Sequence, residues 1–220
     1  MMVTSEKPTV DPGVNNPCPF LRALFTRGSI KKDYEKPQHL AEIIHTIASR
    51  GYSPTPDLST YAISFVGSIA NGIWPSQITQ NILYGTHVSN LRGGLLDKKG
   101  GGSQILSENG IINQTQLDRM ASFGSKKVDV NTGRNEMGLN LNEINSFIDA
   151  NAQRSKEIPG AMSPRLGKIF AAQEYPVLLR VMGKPGKDGE RYLSMDEVTR
   201  LWVDRELPSR FDEPQNATRS

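Results

Sequence analysis

Apolar residues along this chain recur mostly at three- and four-residue intervals, the spacing of one face of an α-helix. The first such run follows Pro19 and carries Phe20, Leu21, Leu24 and Phe25 to a stop at Gly28. A second begins near Pro37, sets Leu40, Ile43, Ile44 and Ile47 on one face, and has Gly51 beyond its last turn. A third follows Pro56-Asp57 with Leu58, Tyr61, Ile63, Val66 and Ile69, and after the break at Trp74-Pro75-Ser76 a short one carries Ile78, Ile82 and Leu83. Asn113 heads a helix with Leu117 and Met120, and Asn140-x-x-Glu143 is a capping box before Ile144, Phe147 and Ile148. Ser163-Pro164 starts a long helix that runs toward Met182, with a kink expected at Pro176. Ser194-x-x-Glu197 is a second capping box, heading Val198, Leu201 and Trp202. Residues 92–111, with their glycine clusters, and the polar stretch Lys126 to Met137 read as loops. Few segments alternate as strands do, and no internal repeat is visible. The expectation is an all-α protein, a single mostly helical domain over residues 16–208, with an extended arm at 1–15 and a flexible tail at 209–220.

Composition narrows the function classes. The 220 residues suit one domain with a sizeable core. The net charge of +3 is spread through the chain, and no arginine-rich stripe interleaves with aromatics, so nucleic acid is not an expected partner. No apolar run approaches the roughly 20 residues of a membrane span. The first residues lack the pattern of a secretory signal, which implies an intracellular protein or a chain that begins after processing. His39, His45 and His87 are scattered, and a single cysteine excludes an internal disulfide or a cysteine zinc site.

Candidate chemistry therefore centres on Cys18, in Asn16-Pro17-Cys18-Pro19-Phe20-Leu21-Arg22-Ala23-Leu24. With Pro19 at the first helical position, Cys18 becomes the N-cap. Its sulfur then faces free backbone N–H groups and the positive end of the helix dipole, an environment that stabilises the thiolate, the form that ligates iron. The bland alternative is a small buried thiol that only packs.

The stretch Pro17-Cys18-Pro19-x-Leu21-x-Ala23-Leu24 resembles the Pro-Cys-Pro signature of the heme-thiolate peroxidases, the chloroperoxidase and unspecific peroxygenase family. Further segments are similar in order: Leu91-x-x-Gly94-x-Leu96, Ile112-Asn113-Gln114-Thr115-x-Leu117-Asp118, Ala172-Gln173-Glu174 and Arg205-Glu206-Leu207-Pro208. The resemblance implies haem b with Cys18 as proximal ligand. It also implies hydrogen peroxide as oxidant, a small apolar or aromatic substrate, and Glu174 as the distal acid–base. A carboxylate among apolar neighbours suits that task, because desolvation raises its pKa toward neutrality. A channel for the substrate would draw on Phe20, Phe25, Phe65, Ile69, Phe123 and Phe170.

The chain departs from the family at one motif. Where the family has Glu-His-Asp, this sequence has Asp97-Lys98-Lys99, and Gly167 stands where long members carry an arginine partner for the acid. Asp97, with Ser103 as a second oxygen donor, is the candidate for a magnesium site beside a haem propionate. Lys98 is the candidate to pair with the propionate directly or to serve as the distal cation. Two other readings stay open: a non-catalytic haem-binding or haem-free protein on the same fold, and a thiol enzyme using Cys18 itself. Asp129-x-Asn131-x-Gly133 opens like a calcium loop, but Arg134 replaces its glycine and Asn140 its terminal glutamate, so calcium is not expected.

Overall fold

The computed structural model describes residues 13, 16, 18–31, 34–48, 50, 84–89, 102–107, 109–161 and 163–212. Among the described residues the helices are α1 (Pro19–Thr26), α2 (Pro37–Ala48), α3 (Gln114–Ala121), α4 (Leu141–Ser155), α5 (Pro164–Met182) and α6 (Met195–Val203). Each begins where the chain supplies a start. Pro19 is the first helical residue of α1, and Gly28, at φ 76°, takes the left-handed turn after it. Asn113 accepts from the Gln116 amide at 3.3 Å. At α4 the box closes both ways: the Asn140 side chain accepts from the Glu143 amide at 3.0 Å, and Glu143 accepts from the Asn140 amide at 2.7 Å.

The all-α expectation is wrong. Strands β3 (Ser125–Val128), β4 (Asn135–Asn140), β5 (Lys184–Pro185) and β6 (Arg191–Ser194) form one antiparallel sheet in the order β3-β4-β6-β5. A separate two-residue pair joins β1 (Tyr34–Glu35) to β2 (Thr86–His87). The stretch read as polar loop, Lys126 to Met137, is the first hairpin of the sheet. Its inward positions are charged: Lys127 and Asp129 are buried, and Glu136 is half-buried. Buried ions that pair with opposite charges leave no apolar alternation for a sequence reading to find.

The sheet also contains a repeat that the sequence conceals. A helix, a hairpin and a helix follow one another twice: α3–β3–β4–α4 and α5–β5–β6–α6. The inner strands pair with Leu139 opposite Leu193, flanked by Gly138↔Ser194 and Asn140↔Tyr192, which is a two-fold arrangement about the leucine pair. Asn140 and Ser194 end their strands and stand at the N-cap positions of the helices that follow. At the hairpin tips, Gly133 and Gly189 hold positive φ angles of 69° and 84°. Asp129 accepts from the Asn131 amide in the first tip as Asp188 does from Glu190 in the second. The tips are laced together. Lys187 N–H donates to the Val128 carbonyl at 2.9 Å, and Val130 N–H to that of Pro185 at 3.2 Å.

One apolar core joins these units to the N-terminal helices. It includes Leu24, Phe25 and Ile30, then Leu117, Phe147, Leu139 and Leu193, and Phe211. Residues 209–212, expected in a flexible tail, are held in place: Ser209–Phe211 form a 3-10 turn, Phe211 is fully buried, and Arg27 pairs with Asp212 at 2.7 Å, while 213–220 lie outside the described residues. No helix among the described residues is long and apolar enough to cross a membrane.

Gly138 shows how tightly the two units meet. A Cβ built there would lie 2.3 Å from Cδ2 of Tyr192, a ring that is 1% exposed, and 3.0 Å from the Leu193 carbonyl oxygen. Gly138→Ala is therefore expected to destabilise the fold by about 1–3 kcal/mol, the usual range for overpacking. Urea denaturation measures it, and a variant as stable as the wild type would mean that the Tyr192 ring swings clear.

Candidate functional site

Cys18 occupies the N-cap position expected from its prolines, with extended backbone at φ −81° and ψ 112°. A fully buried asparagine holds it there. Asn16 Nδ2 donates to the Val88 carbonyl at 2.9 Å, while Asn16 Oδ1 accepts from the Cys18 amide at 2.9 Å. One turn on, Arg22 is 4% exposed and donates to the carbonyls of Gly13 (2.7 Å) and Asn16 (3.2 Å), tying the incoming chain to the helix start. Cys18 is half-buried, packs against the core and makes no side-chain cap bond to the first turn.

Of the other expected site residues, Ser103 has a described side chain. Glu174 lies within α5, and its side chain is outside the described residues, as are Asp97 and Lys98 altogether. Ser103 is half-buried, and its hydroxyl accepts from the Ile105 amide at 3.4 Å. Helix α1 packs on α6, whereas α5 lies along α4 and against β6. Of the residues assigned to a channel, Phe20 and Phe25 are core, and Phe123 stands edge-on to Phe147 at 5.6 Å. Phe65 and Ile69 are outside the described residues, as is the Phe170 side chain. Two of the family-like segments do structural work: Asn113 caps α3, and Arg205 to Pro208 turn the chain out of α6, with Arg205 at φ 57°.

A second cluster of chemistry-bearing side chains stands where the two hairpins meet α6. The Lys184 ammonium lies 2.6 Å from Glu136 Oε1, 3.0 Å from Asp129 Oδ2 and 3.8 Å from Glu197 Oε1. Glu136 also accepts from the Tyr192 hydroxyl at 2.5 Å and the Ser194 hydroxyl at 2.8 Å. Arg210 pairs with Glu197 and donates to the Met182 carbonyl at 2.5 Å. Beside them opens a cavity of about 190 Å³, lined also by Thr132, Arg134, Asp196 and Ser209. On the other side of the two-fold, Glu143 is held by Lys127 at 3.1 Å. Among the described residues, no three His, Cys, Asp or Glu side chains stand ready to hold a metal ion. The carboxylates around Lys184 are shared out to ammonium, guanidinium and hydroxyl donors instead.

Ser194 exposes a limit of motif reading. Its capping-box spacing marks the start of α6 correctly, yet the serine makes no cap bond. Its hydroxyl is spent on Glu136, and Glu197 turns to Arg210 and Lys184. The cluster itself has no motif. Its members sit on both hairpins, α6 and the 3-10 turn, and each alone looks like an ordinary surface charge.

The charges shift one another. Burial acts to raise Asp129 and Glu136, but the Lys184 ammonium and the hydrogen bonds they accept prevail and hold both below the usual carboxylate range. Burial raises Glu143 too, and is likewise outweighed by its contacts with Ser125, Asn140 and Lys127. Burial lowers Lys184, yet the carboxylates around it win and raise it. Tyr192 is raised by burial and by Glu136. Glu197 goes the other way: burial dominates, and Arg210 only partly offsets it, so its carboxyl is raised.

A depressed carboxylate contributes stability that is present above its unfolded pKa and lost as pH falls through its folded one. Lys184 contributes stability that is present below its unfolded pKa and lost as pH rises through its raised folded value. The urea midpoint is thus expected to be flat between roughly pH 5 and 9, and to fall on both sides. Protonation of Glu197 offsets part of the acid loss. Glu136→Gln should flatten the acid limb, and an unchanged limb would remove Glu136 from this account. A scan against protein-family models, a search of curated proteins and a search of solved structures each found no match to this chain.

Proposed function

We propose that the chain binds haem b through the Cys18 thiolate and uses hydrogen peroxide to oxidise or oxygenate a small apolar or aromatic substrate, as a peroxidase or peroxygenase. The observation that carries this reading is the placement of Cys18 at the N-cap of α1, its amide fixed by Asn16. The residues present fit a thiolate ligand. The first-turn N–H groups of α1 and the buried Arg22 guanidinium one turn on both favour negative charge at position 18. The haem, when bound, supplies peroxide activation, which thiolate donation assists. The protein's part is to hold the ligand and move a proton. Asn16 and Arg22 fix the backbone that presents Cys18. Glu174 is proposed to take a proton from peroxide and return it to the departing oxygen. Lys98 is proposed to pair with a propionate, and Asp97 with Ser103 to supply oxygen donors for Mg2+ there.

A second reading, a non-catalytic haem-binding or haem-free protein, is favoured by the burial of Phe20 and Phe25, which spends two channel candidates on the core. A sheet-containing architecture in place of the all-helical one the resemblance implies points the same way. The absorption spectrum of the reduced carbon monoxide complex separates these readings. A red-shifted thiolate Soret band that Cys18→Ala abolishes is the expected result. A band without that shift overturns Cys18 as ligand, and no haem uptake leaves the haem-free reading. Glu174→Gln should retain the haem spectrum and slow peroxide consumption by about 10²–10⁴-fold. Unchanged turnover would exclude Glu174 as the proton carrier.

A further inference from the structure

A calcium-binding helix–loop–helix gathers carboxylates from a loop and from the helix that follows, and the ion between them is what fixes the two helices. Both units of this chain have that outline, each with an aspartate in its tip and a glutamate in the first turn of its second helix: Asp129 with Glu143, and Asp188 with Glu197. One carboxylate of each unit, Asp129 and Glu197, shares a cation that belongs to the chain. The Lys184 ammonium, on a side chain 12% exposed, meets Asp129, Glu136 and Glu197 at 3.0, 2.6 and 3.8 Å. Those three come from the first tip, the inner strand β4 and helix α6, so one positive charge joins one unit to the other.

We propose that Lys184 is a tethered counter-ion that takes the place of a divalent metal and locks the paired helix–hairpin–helix units in one state whatever the calcium concentration. That role needs no haem at Cys18. A flexible stem with a compact charge at its end suits the role, since ammonium accepts several oxygen neighbours without a fixed fork. Removing it would leave Asp129, 1% exposed, and Glu136 without their ammonium, with Arg210 still paired to Glu197. Such a cluster then favours an added divalent or trivalent ion over its own repulsion.

The test uses the full chain and terbium(III) as probe. Tyr192, whose hydroxyl lies 2.5 Å from Glu136, serves as the luminescence donor. Wild type should show no tyrosine-sensitised terbium emission, and its melting temperature should be the same in calcium and in chelator. Lys184→Met should melt about 10 °C lower, as loss of one partner of a buried ion pair implies for a chain of this size. It should then gain terbium emission that calcium displaces, with calcium recovering part of the lost melting temperature. Lys184→Arg keeps the charge and should remain calcium-insensitive. Terbium uptake by wild type at Tyr192, or a Lys184→Met variant as stable as wild type or indifferent to ions, overturns the proposal. If Lys184→Met does not fold without calcium, Lys184→Met/Glu197→Gln relieves one like charge and carries the same test. A folded double variant with no ion response also overturns it.

Discussion

The pairing of β4 with β6 sets almost everything else in the described part of this protein. Each strand passes directly into a helix, at Asn140 and at Ser194, so the Leu139↔Leu193 register decides where α4 and α6 lie. It also decides which side chains meet beneath the hairpins. A slip of one residue would turn Leu139 and Leu193 out of the core and send Glu136 away from Lys184. Backbone pairing thus sets the ionic cluster, and the cluster in turn favours that register.

Energetically the two contributions differ in kind. The buried aromatic and aliphatic side chains, Phe25, Phe147 and Phe211 among them, each contribute on the order of 1.5–3 kcal/mol by leaving water. The ions around Lys184 lose hydration on burial, and their mutual attraction roughly offsets that loss. Their effect is selective rather than additive. The correct hairpin arrangement lets each buried charge meet a partner, while an incorrect one strands a charge in an apolar interior. The core makes the chain fold, and the ions narrow which fold it makes.

This division explains what the sequence could and could not convey. Helix starts were legible because proline, asparagine and the glutamate of a capping box act locally, as Pro19, Pro37, Asn140 and Glu143 do here. The N-cap placement of Cys18 was legible for the same reason. The sheet was not, because Lys127, Asp129 and Glu136 face inward where apolar residues would have announced a strand. The two-fold repeat was hidden by hairpins of different length and by different chemistry at matched positions. Asn140 caps its helix while Ser194 serves Glu136. The Lys184 cluster was illegible because its charges come from segments distant in sequence and only topology brings them together.

The bonds that lace the hairpin tips have a consequence for the chain among other proteins. An edge strand ordinarily offers a row of unpaired amides and carbonyls to any extended segment that drifts past. Here the outer strands β3 and β5 turn toward each other at one end, and Lys187 with Val128 and Val130 with Pro185 use up those groups internally. With β5 only two residues long, the described sheet offers little room for a foreign strand to add. The same curvature that brings two tips into contact thus protects a largely polar sheet from edge-to-edge aggregation.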